Sequence, residues 1–337
     1  MLQSSIQYLK RGFAKQLNSS QQRFFSTSIE RHVHVIGFPF AGGQQRPGPE
    51  EAPEWLLQQK FLQNRNGVST EMVNVTNRKC NQAQDKDIID GHRKGERNWH
   101  NVYQSNVRLE SSVIKSLHAK QFPVIFGGDH SQGIGSINGL KAVYPKTKIL
   151  WIDAHVDANT PESSLTGDIH GGPVAYLTGL AKYEQPPVLS LRDIVYFGLR
   201  QWEPEEKQLL DDREILWFKS EDCLAERMDV IKKNIESYLF PNNAERVPYW
   251  ISFDIDGVTW EDFRSTGTPE SKGIPLSFML QFFETFIPEA YGMDFTEVNF
   301  RLSEGEQTDK DKETVKLLME KIIDVVHKQK FKYPHQL

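Results

Sequence analysis

Several features that would assign a protein to a specialised class are scarce or absent in this 337-residue chain. It has only two cysteines, Cys80 and Cys223, which lie far apart and match no zinc-binding spacing. They fit a reducing compartment in which a disulfide is not expected. No apolar run approaches the length of a membrane span. The net charge is -5 and the basic residues are dispersed, so nothing indicates a nucleic-acid partner.

The composition is that of a soluble globular protein with a sizeable core, since 38% of the residues are hydrophobic and 25% are charged. After residue 28 the sequence has no internal repeat, no Gly- or Pro-rich linker and no low-complexity stretch. A single domain over residues 32–330 is therefore predicted.

The first 28 residues differ from the remainder because they contain no acidic side chain; the first acid in the chain is Glu30. They are rich in Ser and Gln, and apolar residues at 2, 6, 9 and 13 can share one helical face. This segment resembles a mitochondrial presequence, with RFFS at 23–26 similar to a processing site, and it predicts a location in the mitochondrial matrix. The alternative is a disordered tail or docking arm.

Short β-rich runs alternate with helical patterns from His32 onward. The strand-like runs are HVHVIGF, FPVIFGG, KILWIDA, DIVYFGL, EILWFKS, PYWISFD and YGMDFTEV. Helical spacing occurs in EAPEWLLQQKFL, NVRLESSVIKSLHA, SQGIGSINGLKAVY, PVAYLTGLAKY, AERMDVIKKNIESYL, PLSFMLQFFETFI and ETVKLLMEKIIDVVHK. Strands that alternate with crossover helices predict a single-domain, three-layer α/β/α fold with a mainly parallel sheet.

Polar side chains cluster where four of these runs end, which is where ligands bind in such sheets. A single acid at a strand end often caps the next helix, and a single buried histidine is usually a core residue. So many polar side chains at four strand ends indicate a functional site rather than helix caps and core residues alone. They are Asp129, His130, Asp153, His155, Asp157, Asn159, Asp254, Asp256 and Glu297.

Six of these residues form a candidate metal-ligand set: His130, Asp153, His155, Asp157, Asp254 and Asp256. Side chains at i, i+2 and i+4 of an extended chain share one face, so the three ligands in DAHVD project together. Four carboxylate charges balance two divalent cations, and oxygen ligands with some imidazole favour manganese. A two-metal site of this kind turns water into hydroxide near neutral pH.

The motifs GGDHS, DAHVDAN, SFDID and EVN together resemble the ureohydrolase superfamily, and specifically the arginases. The similarity extends over residues 33–325 and includes VIGFPFAGGQQRPGPEEAP at 35–53, NTPESSLTGDIHGGPVAYL at 159–177 and STGTP at 265–269. The related agmatinases share the metal motifs but typically lack the Asn-Thr-Pro that follows the second one. The resemblance implies an arginase-like fold and two Mn²⁺ per subunit.

Carried over by position, the resemblance implies that Asp153 and Asp254 bridge the two ions. His130 and Asp157 would complete one site, and His155 and Asp256 would complete the other. A hydroxide between the metals would attack the guanidinium carbon, with Asp157 accepting its hydrogen bond and helping to stabilise the tetrahedral intermediate.

The same resemblance implies roles for substrate contacts. Glu297 would hold the guanidinium, and His170 would shuttle a proton. Asn159 and Thr166 would bind the carboxylate of the amino acid, and Glu203 its ammonium group. The simpler alternatives are that His170 caps the helix at 171 and that Glu203 is a solvated acid in a first helical turn.

Three departures from the family pattern concern the substrate side. Asp168 stands where arginases usually have Asn, and a second carboxylate there would repel the substrate's own unless it is turned away or paired. The loop at 258–265 lacks the usual Leu-Asp-Pro, and Gln201 replaces an expected acid.

Three functions remain open on the sequence. The first is hydrolysis of L-arginine to L-ornithine and urea, in a trimer or hexamer by resemblance. The second is hydrolysis of another guanidino or amidino compound such as agmatine, which has no carboxylate for Asp168 to repel. The third is a metal-binding structural subunit of a mitochondrial assembly.

Overall fold

Eight parallel strands form one sheet in the described part of the chain, residues 31–75, 78–79 and 96–328 of this computed structural model. The strand order across the sheet is β2-β1-β3-β8-β7-β4-β5-β6. The strands are β1 (Val33–Phe38), β2 (Val68–Met72), β3 (Phe122–Gly127), β4 (Lys148–Ile152), β5 (Ile194–Phe197), β6 (Trp217–Phe218), β7 (Tyr249–Asp254) and β8 (Ala290–Thr296).

Helices cover both faces of the sheet. Those within the described residues are α1 (Ala52–Leu57), α2 (Lys60–Gln63), α3 (Trp99–His118), α4 (Gln132–Val143), α5 (Pro173–Thr178), α6 (Pro204–Asp212), α7 (Met228–Leu239), α8 (Leu276–Phe286) and α9 (Glu306–Lys328). Helices α1, α7, α8 and α9 pack on one face, where alternate strand residues such as Phe253 point. Helices α3 to α6 pack on the other, which carries Trp151 and Trp250. Because side chains alternate along a strand, each buried strand supplies both cores.

The predicted three-layer fold with a parallel sheet is confirmed, and the differences are local. Strand β2 was not predicted because its sequence, VSTEM, is half-exposed at the sheet edge and carries no apolar run. The helix predicted over 51–62 is two short helices, since Gln59 between them is extended, at φ -72° and ψ 130°. Helix α3 begins seven residues before the predicted segment, and α6 was not predicted, because polar residues dominate both stretches.

The strand order brings the predicted site residues together. Strands β7 and β8 insert between β3 and β4, so the four strands that lead to polar clusters are adjacent, in the order β3-β8-β7-β4. Each of the four has a parallel neighbour on both sides, so their carboxyl ends lie on one edge of the sheet.

Some predictions concern residues that the structure does not describe. The presequence at 1–28, Cys80 and the C-terminal FKYPHQL lie outside the described ranges, and the domain limits stay a prediction. Cys223 is buried with a free thiol. Among the helices described above, none is both long and apolar enough to cross a membrane.

Candidate metal centre and active site

The six predicted metal ligands converge at the carboxyl edge of the central strands. One group surrounds His130, which follows β3. Its Nδ1 lies 3.0 Å from Oδ2 of Asp153, 3.0 Å from Oδ2 of Asp157 and 3.2 Å from Oδ2 of Asp254. His130, Asp153 and Asp254 are nearly inaccessible to solvent.

A second group surrounds His155 on the open side of the cluster. Its Nδ1 lies 3.0 Å from Oδ2 of Asp256 and 3.4 Å from Oδ1 of Asp153. The two oxygens of Asp153 therefore face different imidazoles, so this carboxylate belongs to both groups of candidate ligand atoms. A shared carboxylate of this kind is the element that joins two cations in a two-metal site.

The six candidate ligands leave buried polar atoms and buried charge unsatisfied, and a pair of cations would satisfy both. Nδ1 of His130 and Oδ2 of Asp157 are buried yet make no hydrogen bond of acceptable geometry. Burial, with the neighbouring Asp256 and Asp153 carboxylates, raises the pKa of Asp254 well above its usual value. Buried carboxylates that lie close together are unfavourable in their ionised form. A divalent cation among their oxygens stabilises that form.

Hydrogen bonds behind the ligands fix the His130 ring. Ser252 Oγ donates to Asp294 at 2.6 Å, and its oxygen faces Nε2 of His130 at 3.0 Å. Nε2 is thus the protonated nitrogen, which leaves the lone pair of Nδ1 for a metal. The ring also stacks on Trp151 with centroids 4.4 Å apart. This support orients the imidazole before any cation binds.

Two residues of the site have left-handed backbone conformations that side chains other than glycine rarely adopt. Asp157 has a φ of 56° and Glu297 a φ of 64°. Such conformations cost on the order of 1–3 kcal/mol and persist where the surrounding structure enforces them, most often at functional sites.

A pocket of about 190 Å³ opens above the ligand cluster. It contains all the residues predicted to contact substrate except Glu297, and all the predicted metal ligands except the fully buried Asp153. It is lined by His130, His155, Asp157, Asn159, Ser164, Leu165, Thr166, Asp168, His170, Gly171, Glu203, Glu206, Asp254, Asp256 and Thr268.

His170 lies in a 3₁₀ turn, Ile169–Gly171, on the wall of this pocket. Its Nδ1 is 3.3 Å from the carbonyl oxygen of Gly43, which can only accept, so Nδ1 carries the proton and Nε2 is left with a lone pair. Among the described residues, no side chain forms a capping hydrogen bond with α5, so the alternative of a helix-capping role for His170 is not supported. Its proton-transfer role stays a prediction.

Glu203 is not simply a solvated acid, because its Oε2 accepts a hydrogen bond of 3.0 Å from the side chain of Asn159. It is the N-cap residue of α6, and its backbone N–H donates to the side chain of Glu206, three residues later, at 2.9 Å. Burial and the adjoining Glu203 raise the pKa of Glu206 to about 9, so the two carboxyl groups share one proton at neutral pH. The pair carries one negative charge beside the pocket.

Glu297 lies behind the pocket wall rather than in it. Its Oε1 accepts the backbone N–H of His130 at 2.9 Å, and its Oε2 accepts the side-chain amide of Gln44 at 2.7 Å. Burial raises the pKa of the Glu297 carboxyl to about 7, although both donors favour its ionised form. Its predicted contact with a guanidinium remains a prediction.

Asp168 is paired, which answers the concern that the sequence raised. Its two oxygens lie 3.3 Å from the side-chain nitrogen of Gln45, and Oδ1 lies 3.6 Å from Nε of Arg97. The residue still lines the pocket, so its charge is balanced by these neighbours rather than removed from the pocket lining.

Four residues around the site were missed by reasoning from the sequence. Glu206 had a usable signal, because a glutamate three residues after the start of a helix is half of a capping box. Gln44, Gln45 and Arg97 had none, since they come from loops whose approach to the site depends on the tertiary fold.

Comparison with known proteins places this geometry in context. The family model described as the arginase family matches residues 31–323. An arginase of Entamoeba histolytica is 30% identical over 285 residues, covering 81% of this chain and 92% of that protein. Arginase-1 of Bos taurus is 30% identical over 284 residues, covering 81% and 86%. The crystal structure of Entamoeba histolytica arginase in complex with L-ornithine aligns with a TM-score of 0.73 at 27% identity, covering 87% of this chain and 99% of that one.

Proposed function

This chain belongs to the arginase family, and from that premise we propose that it hydrolyses L-arginine to L-ornithine and urea with two Mn²⁺ ions. Family membership makes it a hydrolase of amidino C–N bonds. The metal, its stoichiometry and the particular substrate belong to the proposal.

The observation that carries the proposal is the pair of ligand groups that share Asp153 beneath a solvent-accessible pocket. Bound there, two divalent cations would supply a hydroxide nucleophile from water near neutral pH and polarise the guanidinium. Asp153 and Asp254 would hold both cations. His130 with Asp157 would complete one position, and His155 with Asp256 the other.

The remaining residues bind and orient the substrate or move protons. Asn159 and Thr166 would bind the carboxylate, and the negative Glu203–Glu206 pair would attract the ammonium group. His170, with Nδ1–H fixed on the Gly43 carbonyl, would accept a proton from solvent at Nε2 and pass it on to the departing amino group.

Glu297 would receive the guanidinium by a charge-assisted pair, with the fixed N–H of His130 on its other oxygen. The guanidinium would then replace or share the place of the Gln44 amide. Asp157, which lines the pocket, would also accept a hydrogen bond from the attacking group.

Urea release from L-arginine tests this proposal. Protein that begins near Ser26 should release urea after loading with Mn²⁺, and should lose that activity when a chelator removes the metal. Parallel assays with agmatine separate arginine hydrolysis from the agmatinase-type alternative. Protein that binds two Mn²⁺ per chain and releases urea from neither substrate would overturn the proposal in favour of a structural subunit.

We further propose that the protein acts in the mitochondrial matrix as a trimer or hexamer. The support is the acid-free, basic segment at 1–28 and the family to which the chain belongs. Fusing residues 1–28 to a fluorescent protein tests the targeting, and sedimentation of the metal-loaded protein tests the assembly. Cytosolic fluorescence or a monomer would refute the corresponding part.

A further inference from the structure

An ion pair beside the pocket joins two loops that are distant in sequence. Asp168 lines the pocket on the loop before His170, and Arg97 lies next to it, two residues before helix α3. Their closest charged atoms are 3.6 Å apart, and Asp168 is only 10% exposed whereas Arg97 is 28% exposed. Gln45 from a third segment donates to both oxygens of Asp168. The carboxylate is therefore neutralised by the guanidinium and held in place by the amide.

Arg97 is fixed to the loop that carries Thr166. Its backbone N–H donates to the carbonyl of Gly167 at 2.8 Å, and its Nε donates to the carbonyl of Thr166 at 2.6 Å. The next residue, Asn98, donates from its side chain to the carbonyl of Gly42 at 2.9 Å. These bonds place the guanidinium beside the residue proposed to meet the substrate's carboxylate.

Within the part of the chain that the structure describes, the two terminal nitrogens of the Arg97 guanidinium donate no hydrogen bond. Arginine has five N–H groups in a planar fork, and only Nε has a recorded partner among the described residues. The terminal nitrogens carry the other four N–H groups, which is the arrangement that binds carboxylates in a bidentate manner. Without Arg97, the charge of Asp168 would repel a carboxylate. With Arg97 that charge is neutralised, and the terminal nitrogens of the guanidinium can still donate to a substrate carboxylate.

We infer that Arg97, positioned by Asp168 and Gln45, binds the substrate's carboxylate and makes the site select amino acids over their decarboxylated amines. This inference rests on the proposed function, because it assigns the substrate class of the same pocket. It predicts that charge, rather than the neutral side chains of Asn159 and Thr166 alone, determines the choice between arginine and agmatine.

L-Ornithine and putrescine test it, since they are the same amine with and without the carboxylate and neither is hydrolysed. Calorimetry on Mn²⁺-loaded protein gives the ratio of their dissociation constants. Arg97→Gln should weaken L-ornithine binding by about tenfold or more, as expected for loss of a charged hydrogen bond. Putrescine binding should stay the same or tighten. Arg108→Gln, an exposed arginine on the helix that follows Arg97, is the matched control.

The double variant Arg97→Gln/Asp168→Asn separates charge recognition from loop support. Removing both charges should restore part of the L-ornithine preference, because the unpaired Asp168 carboxylate no longer repels the ligand. A purely structural role predicts a double variant no better than the single one. Equal loss of both ligands in Arg97→Gln, or an unchanged ratio, would overturn the inference, as would wild type that does not prefer L-ornithine.

The urea assay keeps this result distinct from the proposed function. Urea release by wild type with an unchanged binding ratio in Arg97→Gln refutes only the role of Arg97. If the dissociation constants of L-ornithine and putrescine change as expected but wild type releases no urea, only the proposed hydrolysis of arginine is refuted.

Discussion

The side-chain amide of Gln44 donates to Oε2 of Glu297 at 2.7 Å, while the backbone N–H of the metal-ligand candidate His130 donates to Oε1 at 2.9 Å. One donor thus comes from the loop after β1 and the other from the backbone of a candidate metal ligand. The Glu297 carboxylate is therefore held between these two segments. Its bond to the His130 backbone ties the residue proposed to hold the guanidinium directly to the candidate ligand cluster.

Glu297→Gln should keep both metals yet bind and turn over arginine poorly, because the charged half of the guanidinium pair is lost. The expected result is a raised Michaelis constant together with a lower turnover number, each by about tenfold or more. Kinetics with metal analysis measure this. Glu289→Gln, which alters a buried carboxyl in the turn before β8, is the control. Unchanged kinetics would remove Glu297 from the site.

Asp153→Ala should lose at least one cation and nearly all activity, because its two oxygens face both imidazoles. His130→Ala should lose chiefly one, since Nδ1 of His130 belongs to one ligand group. Native mass spectrometry or elemental analysis of Mn²⁺-loaded variants counts the ions. Two ions retained by the Asp153→Ala protein would contradict the bridging assignment.

His170→Asn should lower the turnover number with a smaller change in the Michaelis constant, because the ring transfers protons rather than anchoring the substrate. Added imidazole should restore part of the activity. His118→Asn, exposed at the end of α3, is the matched control and should leave both constants unchanged. A change confined to the Michaelis constant would show instead that His170 serves in binding.

The cluster of candidate ligands and the sheet could be predicted from the sequence because both rest on local pattern. Apolar runs that end in DAHVD or SFDID encode a buried strand and the ligands at its end in one stretch of chain. Strand β2 could not be predicted, since an edge strand that is half-exposed needs no apolar run.

The substrate side could be predicted less well because its contacts join distant loops. The sequence indicated that Asp168 needed a partner, but Arg97 and Gln45 were identifiable only after folding brought their loops to Asp168. Likewise, the hydrogen bond that Glu297 accepts from Gln44 joins residues that are 253 positions apart in sequence.

A last prediction concerns the opposite end of the sheet, where Lys141 of α4 is almost fully buried. Its ammonium group donates to the carbonyls of Thr147 at 2.6 Å and Pro145 at 3.0 Å. Burial lowers the pKa of Lys141 from 10.5 to about 8. Between these two values the folded protein binds fewer protons at this residue than the unfolded chain does, so this residue makes the free energy of unfolding rise with pH.

The slope from one such residue is up to about 1.4 kcal/mol per pH unit between pH 8 and 10.5. Below pH 8 both states are protonated, and the cost of burying the charge is constant. Lys141→Met removes the titrating group and also two hydrogen bonds. The lost hydrogen bonds should shift the free energy of unfolding of this variant by a constant amount, and the variant should lack the pH dependence that Lys141 contributes. Urea unfolding of both proteins at pH 7, 8, 9 and 10 isolates the difference, because all other titrating groups are common to the two. Wild type should gain stability relative to Lys141→Met from pH 8 upward, and parallel curves would show that the Lys141 ammonium is not destabilised by its burial.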